Sequence, residues 1–262
     1  MGKRILTGVI GIPVLLGLLY LGGWPWMAFI AVLIAIASFE MSKIAKNMNY
    51  RLALWAIGFG EAVMIGGVFW DNEHWASLGL AVSFLLIIFQ GVFAYPKISL
   101  EEMALSFMTV IYVGWSMCHL IILEKQSVVL LVYLFLAIWG SDSGAYFAGR
   151  FFGKHKLAPH LSPKKTKEGS AGGILCAVAL VVGYSVYLGE GAMFSLPLSV
   201  AFGVVISIIG QIGDLAESMI KRFANVKDSG NILPGHGGIL DRFDSIIMAA
   251  PFVCYIFIFL GM

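Results

Sequence analysis

One apolar segment of this sequence carries polar side chains at a regular spacing. Gln211, Asp214, Ser218 and Lys221 follow one another at intervals of three or four residues, and Glu217 lies beside them. Residues three and four apart lie on the same face of an α-helix. The segment therefore predicts a helix with a polar stripe that offers an amide, a carboxylate, a hydroxyl and an ammonium group.

A glycine-rich segment follows this stripe. It contains Lys227–Gly230 and then Leu233–Gly238, with four glycines between positions 230 and 238. Glycines let backbone N–H groups approach a ligand closely, because no side chain stands in the way. Asp241 and Asp244 come next, and their spacing places both carboxylates on one face of a helix.

Three carboxylates of this region are candidate metal ligands. Asp214, Asp241 and Asp244 supply hard oxygen atoms, which suit Mg²⁺, an ion that binds one or two carboxylates together with substrate phosphates. His236 has no second histidine at a metal-binding spacing, so we favour a phosphate contact or a loop-structuring role for it. The cations of the region supply positive charge for a polyphosphate, and they are Lys221, Arg222, Lys227 and Arg242.

A second polar group lies in the segment Gly140–Arg150. Gly140, Gly144 and Ala148 are four residues apart, so one helix face is small and permits close contact with another helix. Asp142 is a carboxylate in an otherwise apolar helix, where an unpaired charge is costly. The sequence leaves two roles open for it, an ion pair with a neighbouring basic residue or a contact with a cation or substrate.

The connection 150–169 is basic and interrupted by prolines and glycines, so it is not a simple helix. Ser162-Pro163-Lys164-Lys165-Thr166 combines cations with hydroxyl groups, a combination that suits phosphate groups. The alternative is a basic loop that lies on anionic lipid headgroups, a contribution of about 1 kcal/mol per cation. The two roles are compatible in one protein.

The composition determines the kind of element that must position these residues. Only 12% of the 262 residues are charged and mean hydropathy is +0.91, whereas soluble domains carry about 25% charged residues. This excludes an ordinary water-soluble core. We predict an all-α, polytopic membrane helix bundle with about nine spans of about 20 residues each. The predicted spans are 5–23, 26–42, 52–70, 75–95, 104–123, 128–149, 170–188, 194–215 and 244–261.

Two of the early spans contain acidic residues. Glu40 and Lys43 are expected to close the second span early. Glu61 lies within the third span, where a lone carboxylate is a functional group or a neutralised or helix-paired acid. The three cysteines lie in apolar runs with no metal-binding spacing, which favours a packing role.

The distribution of basic residues predicts the orientation. With nine spans and a cytoplasmic N-terminus, 16 of the 17 Lys and Arg residues fall on the cytoplasmic side, and only Lys125 falls outside. This is the bias that the positive-inside rule requires. We therefore predict a cytoplasmic site, with 1–125 forming N-terminal scaffold helices. Residues 126–262 then form a catalytic region with cytoplasmic loops 150–169 and 216–243.

The stretch from Ser218 to Asp244 resembles the signature of the phosphatidate cytidylyltransferases, also called CDP-diglyceride synthases. The residues that carry the resemblance are Ser218–Arg222, Lys227-Asp228 and Leu233–Asp244. The 162–166 loop and the Gly140–Arg150 segment are also similar to that family, as are the chain length and the predicted number of spans.

The resemblance implies the reaction CTP + phosphatidate = CDP-diacylglycerol + diphosphate, a step in phospholipid biosynthesis. It further implies dependence on Mg²⁺, with a second cation as an open alternative, and a cytoplasmic (inner) membrane location. It also implies a homodimer, for which residues 1–125 are the candidate dimer contacts. CTP, phosphatidate and membrane lipid are the expected partners, and no nucleic acid is expected.

On this reading each polar group receives a role. Asp214 and Asp241 are assigned to the metal centre, with Asp244 and Asp142 as further candidate ligands. Lys221, Arg222 and Arg242 would hold phosphates, and Lys221 and Arg242 count with Asp214 and Asp241 as catalytic candidates. The remaining substrate-binding candidates are Ser162, Lys164, Lys165, Thr166, Ser218, Lys227, Asp228, His236, Gly237 and Gly238.

Two other classes fit parts of the pattern. A polyprenol kinase or a cytidylyltransferase for another lipid would share the CTP chemistry but not the acceptor. A transporter would place polar or broken-helix positions near mid-bilayer in paired halves. Here the polar residues concentrate in the second half of the chain, which favours an enzyme.

Overall fold

The chain folds mainly into helices. The computed structural model describes residues 2–70, 74–232 and 237–259. A π-helical turn, Val110–Trp115, joins two helices into the continuous helix Leu100–Gln126, and a short 3₁₀ turn spans Gly189–Gly191. The helices are α1 (Gly2–Leu21), α2 (Gly23–Asn47), α3 (Leu54–Phe69), α4 (His74–Phe93), α5 (Leu100–Thr109), α6 (Ser116–Gln126), α7 (Val128–Phe152), α8 (Lys167–Leu188), α9 (Leu196–Phe223) and α10 (Leu240–Phe259).

Helices lie at each of the positions predicted to span a membrane. Within the described ranges, seven are long and apolar enough to cross a bilayer, and α3, with 16 residues, is apolar but shorter. The protein is therefore a multi-pass membrane helix bundle, while the total of nine spans and the cytoplasmic N-terminus remain predictions. The seven are Gly23–Asn47, Ala76–Phe93, Leu100–Gln126, Val128–Phe152, Lys167–Gly191, Leu196–Phe223 and Leu240–Phe259.

The basic connection between α7 and α8 contains a small β-hairpin, which the all-helical prediction did not include. Strands β1 (Lys156–Ala158) and β2 (Ser162–Thr166) pair antiparallel, with Lys156 opposite Thr166. Pro159 lies in the turn, and Pro163 lies within β2. Proline lacks an N–H donor and disfavours helix continuation, so this segment takes extended strands in place of a helix.

The fold comprises two compact units. The first contains residues up to Lys125 together with Ile220–Phe243, and the second contains Gln126–Met219 together with the residues from Asp244 onward. The segment Ile220–Phe243, which the sequence analysis grouped with the C-terminal region, thus packs with the N-terminal helices. Helix α9 passes from the second unit into the first after Met219, and α10 passes back after Phe243.

Glycines bring α3 and α4 into close contact within the first unit. A Cβ atom at Gly79 would lie 2.9 Å from the carbonyl oxygen of Gly60, so the two backbones meet directly. Glu61, the next residue on α3, is buried and accepts a hydrogen bond from Ser38 Oγ at 2.6 Å. The π-helical turn packs against Glu61, because a Cβ atom at Gly114 would lie 2.7 Å from its Cγ. Glu61 is therefore a helix-paired acid.

Helices α7 and α8 pack closely within the second unit, as the small face of α7 predicts. A Cβ atom at Gly144 would lie 2.5 Å from both Cys176 Cβ and the carbonyl oxygen of Gly172. A Cβ atom at Gly172 would in turn lie 2.2 Å from Ala148 Cβ. The prediction that Gly140, Gly144 and Ala148 permit close helix contact is confirmed.

Helix α2 corrects the expectation that Glu40 and Lys43 close the second span early. The helix continues to Asn47, and Glu40 is fully buried within it. A buried carboxylate is tolerated when hydrogen-bond donors surround it. Glu40 has such donors on the segment Ser229–Leu240, so its charge does not require the helix to leave the bundle.

Candidate active site

Asp241 lies at the centre of the polar cluster in the first unit. It occupies the first turn of α10, where a carboxylate interacts favourably with the helix dipole. Its Oδ1 atom accepts a hydrogen bond from Lys221 Nζ at 2.6 Å. Its Oδ2 atom accepts from Gly238 N at 2.8 Å, from Ser229 N at 2.9 Å and from Ser229 Oγ at 3.0 Å. Both oxygen atoms are therefore held by donors.

Lys221 and Asp241 form a shielded ion pair. Their side chains are 12% and 5% exposed. Charge-assisted hydrogen bonds of this kind are short and strong, and removing one partner of a shielded pair leaves a costly uncompensated charge. Lys221 is a predicted phosphate ligand and Asp241 a predicted metal ligand, and the structure brings these two side chains into direct contact.

Position 237 requires glycine for two reasons. Gly237 has a φ of 82°, in the left-handed region that glycine adopts without strain. A Cβ atom at Gly237 would also lie 2.4 Å from Asp241 Oδ2. Gly238 N–H donates to the carboxylate of Asp241, and the approach of these backbone donors to a ligand stays a prediction.

Glu40 is a residue of this site that the sequence analysis missed. Its Oε1 atom accepts a hydrogen bond from Ile239 N at 3.0 Å, and its Oε2 atom accepts from Leu240 N at 3.0 Å. Ser229 Oγ lies 3.1 Å from Oε2. The only sequence signal was a carboxylate within an otherwise apolar span, a pattern that marks functional candidates in membrane helices.

The other candidates of the first unit lie on its surface. Arg222, Lys227, Asp228 and Arg242 are all exposed. Arg222 Nη1 donates to the carbonyl of Val226 at 3.4 Å. Exposed cations of this kind can reorient toward a polyphosphate without leaving a buried charge behind. His236 lies outside the described residues.

In the second unit, Asp214 pairs with Lys165. The Lys165 Nζ and Asp214 Oδ2 atoms are 2.5 Å apart, and the side chains are 25% and 32% exposed. The hairpin strand β2 carries Lys165, and α9 carries Asp214. Two residues that were assigned to different parts of the site are therefore in contact.

Thr166 has a local structural role at the end of β2. Its Oγ1 atom accepts a hydrogen bond from Gly169 N at 3.1 Å, which caps the N-terminus of α8. Thr166 is buried, Ser162 is half-buried and Lys164 is exposed. Of these three candidates, the exposed Lys164 is the one that a substrate in solution can reach without a rearrangement of the hairpin.

Gln211 connects three helices of the second unit one turn before Asp214. Its Nε2 atom donates to the Ser170 carbonyl at 3.2 Å and lies within hydrogen-bond distance of Ser207 Oγ at 3.2 Å and Ser141 Oγ at 3.4 Å. Ser170 Oγ donates to its Oε1 atom. This network fixes the part of α9 that carries Asp214 against α7 and α8.

Helices α9 and α10 also meet in the second unit, next to Asp214. A Cβ atom at Gly213 would lie 2.7 Å from the carbonyl oxygen of Asp244. Asp244 Oδ1 accepts a hydrogen bond from Ser245 N at 2.6 Å. The backbones that carry two of the predicted metal ligands, Asp214 and Asp244, are thus adjacent. Ser218 is buried on α9, and Asp142 is exposed on α7.

The donor set is compatible with Mg²⁺. Within the described ranges, no three His, Cys, Asp or Glu side chains form a group that could hold a metal ion. Mg²⁺ does not need one, because it usually binds one or two carboxylates and completes its shell with water and substrate phosphates. Asp214 and Asp241 each bind a lysine ammonium group, so each carboxylate already interacts with a cation.

The fold and the site together define a class. The chain is a multi-pass membrane protein whose conspicuous polar groups are two lysine–carboxylate pairs. One pair joins a hairpin strand to α9, and the other joins α9 to α10. Such groups suit the chemistry of phosphates.

Comparison with known proteins shows the family. The chain belongs to the cytidylyltransferase family, whose model matches residues 2–260. It is 35% identical to a protein named phosphatidate cytidylyltransferase from Bacillus subtilis, over 98% of this chain and 97% of that protein. It is 37% identical to the protein of the same name from Staphylococcus haemolyticus, over 96% of each chain.

Proposed function

We propose that this chain transfers the cytidylyl group of CTP to phosphatidate, which forms CDP-diacylglycerol and diphosphate. The full-length similarity to proteins named for this reaction carries the proposal. The contact of Lys221 with Asp241 within the signature segment supports it, because both groups suit a reaction between phosphates.

The reaction needs no strong general base. The phosphate of phosphatidate is anionic near pH 7, attacks the α-phosphorus of CTP in line, and diphosphate leaves. The main barrier is electrostatic, because a lipid phosphate must approach a triphosphate of about four negative charges; fixed cations offset such repulsion. The cations assigned to the phosphates are Lys221, Arg222 and Arg242.

The chain supplies further residues to this reaction. Lys165 and Lys164 on the hairpin close over the nucleotide or the lipid phosphate, with Ser162 and Thr166 beside them. Asp214 and Asp241 would hold Mg²⁺, with Asp244 and Asp142 as additional candidate ligands. The residues that would contact substrate are Ser218, Lys227, Asp228, His236 and Gly237. When bound, Mg²⁺ offsets phosphate charge and stabilises the leaving diphosphate.

The proposal includes a location. The protein lies in the cytoplasmic membrane with its site on the cytoplasmic side, where CTP is available, and it functions as a homodimer. The distribution of Lys and Arg residues along the chain supports the orientation, and the homodimer is what the family resemblance implies.

The direct test uses the purified full-length protein in detergent or liposomes. We expect release of diphosphate from CTP, and formation of CDP-diacylglycerol, only when phosphatidate and Mg²⁺ are both present. A polyprenyl phosphate and an unphosphorylated polyprenol are the control acceptors. Activity with either control in place of phosphatidate would instead support another lipid cytidylyltransferase or a CTP-dependent kinase.

A further inference from the structure

Glu40 contacts the signature segment from a distant part of the chain. Its side chain is 0% exposed, and its partners Ile239 and Leu240 are 199 and 200 residues away in sequence. Both are backbone N–H groups at the start of α10, which otherwise lack partners within the helix. One carboxylate therefore anchors the end of the helix that carries Asp241.

Ser229 connects Glu40 to Asp241. Its Oγ atom lies 3.1 Å from Glu40 Oε2 and 3.0 Å from Asp241 Oδ2, and its backbone N–H also donates to Asp241. A hydroxyl group has a single proton, so it donates to one carboxylate at a time. The position of Ser229 thus depends on both carboxylates, and a displacement of one acts on the other.

The glycines near Ser229 leave room for Glu40. A Cβ atom at Gly230 would lie 2.5 Å from Glu40 Oε1, and one at Gly238 would lie 2.4 Å from both carboxylate oxygens. These distances are too short for real contacts, so a side chain at position 230 or 238 would require the Glu40 carboxylate to move. The close approach of both glycines and the three hydrogen bonds indicate that these residues pack specifically around the Glu40 carboxylate.

We propose that Glu40 is a positioning residue for the reaction, acting through Ser229, Ile239 and Leu240 on Asp241 and its partner Lys221. This inference rests on the proposed function. The physical reason is that polar groups must be held in a fixed geometry to stabilise charge as it develops, and a misplacement of 1 Å can lower the rate about 100-fold.

The test replaces Glu40 with glutamine, which keeps the shape but turns one acceptor into an N–H₂ donor facing Ile239, Leu240 or Ser229. We expect kcat per folded, monodisperse protein to fall about 100-fold, while KM for CTP changes less than about threefold because the exposed cations remain. Hydrogen exchange at residues 238–240 should become at least about tenfold faster as the contact is lost.

Glu102→Gln is the matched control in the same unit. Glu102 accepts backbone N–H groups from Arg51 at 2.8 Å and Ser99 at 3.0 Å and so also ties a helix start to another segment. We expect it to alter stability but to leave kcat per folded protein and exchange at 238–240 unchanged. A fall in kcat equal to that of Glu40→Gln would contradict a specific role for Glu40.

Gly230→Ala perturbs the same contact from the opposite side and serves if Glu40→Gln does not fold. We expect it to lower kcat, and we expect the double variant with Glu40→Ala to lose less than the product of the two single effects, because the shorter side chain removes the clash. Unchanged exchange at 238–240 in Glu40→Gln, or faster exchange with normal kcat, would overturn the proposal. A wild-type protein without activity would refute the proposed function instead, and the exchange measurement would still test the contact.

Discussion

At the residue scale, neutralising either of the two aspartates that bind lysines tests whether its negative charge is needed for the reaction. Asp241→Asn and Asp214→Asn keep the side-chain shape but remove the negative charge opposite Lys221 and Lys165. If these carboxylates hold Mg²⁺, each variant should lose at least about 100-fold in turnover per folded protein. Assays of CDP-diacylglycerol formation across a Mg²⁺ titration measure this loss.

Glu101→Gln is the control for these variants, because Glu101 is an exposed acid in the first turn of α5. We expect its turnover to match the parent protein. Normal turnover in Asp214→Asn or Asp241→Asn would remove the assignment of that residue to the metal.

Replacing Lys165 should affect activity much more than stability. Its ion pair with Asp214 is partly exposed, and pairs of this kind contribute about 0–1 kcal/mol to stability. Lys165→Ala should therefore change the melting temperature little, but should lower kcat/KM for CTP at least about tenfold if the ammonium group acts on phosphate.

Lys156→Ala is the comparison for Lys165, since Lys156 is an exposed cation on the paired strand β1. Equal activities for the two alanine variants would show that the total positive charge of the hairpin matters and that Lys165 has no specific contact with phosphate. Thermal unfolding of both proteins in the same detergent completes the comparison.

At the scale of elements, the contact of α7 with α8 depends on the absence of side chains. Gly144→Ala would place a Cβ atom 2.5 Å from the backbone oxygen of Gly172, which cannot rotate away. We expect a loss of about 1–3 kcal/mol, as for other overpacked contacts, measured by thermal unfolding in detergent. Activity should fall as well, because the hairpin that carries Lys165 lies between these helices in sequence.

Gly183→Ala on α8 is the matched control for this prediction. A Cβ atom at Gly183 meets nothing within 4 Å, so the change should be neutral or stabilise the helix by about 0.5–1 kcal/mol. Equal stability of the Gly144 and Gly183 variants would contradict the tight packing.

The end of helix α2 could not be predicted from the local hydropathy pattern. A charge in an apolar run predicts that the run ends there, yet α2 continues past Glu40 to Asn47. Burial of a charge depends on donors supplied by other parts of the chain, and hydropathy along one segment contains no information about them.

At the scale of the whole molecule, the open issue is the number of spans. Helix α3 has 16 residues, or about 24 Å at 1.5 Å per residue, against a hydrocarbon core of about 30 Å. If it crosses the membrane, Arg51 before the helix and Trp70 after it lie on opposite sides. We expect a membrane-impermeant thiol reagent to label Trp70→Cys in intact cells, and Arg51→Cys only after permeabilisation.

Glu190→Cys, in the 3₁₀ turn after α8, should label from outside in the same experiment. The parent protein is the control, because Cys118 and Cys254 are buried and Cys176 is half-buried. Labelling of both Trp70→Cys and Arg51→Cys only after permeabilisation would mean that α3 does not cross and that the count of nine spans is wrong.

The helical architecture and the region of the site follow from sequence alone. A run of about 20 apolar residues must become a helix in lipid, because each backbone group needs a partner within the segment. The region of the site could be predicted because residue spacing is a local property of the sequence. It includes the polar stripe of α9, the glycine-rich segment and the carboxylates Asp241 and Asp244.

Tertiary structure decided which of these groups meet. Lys221 with Asp241, Lys165 with Asp214, and Glu40 with the start of α10 are contacts between segments that lie far apart in sequence. Helical periodicity determines which face a side chain occupies but not which face of another helix it meets. That choice depends on close packing at glycines and on the requirement that buried charges find donors, and both arise only in the folded chain.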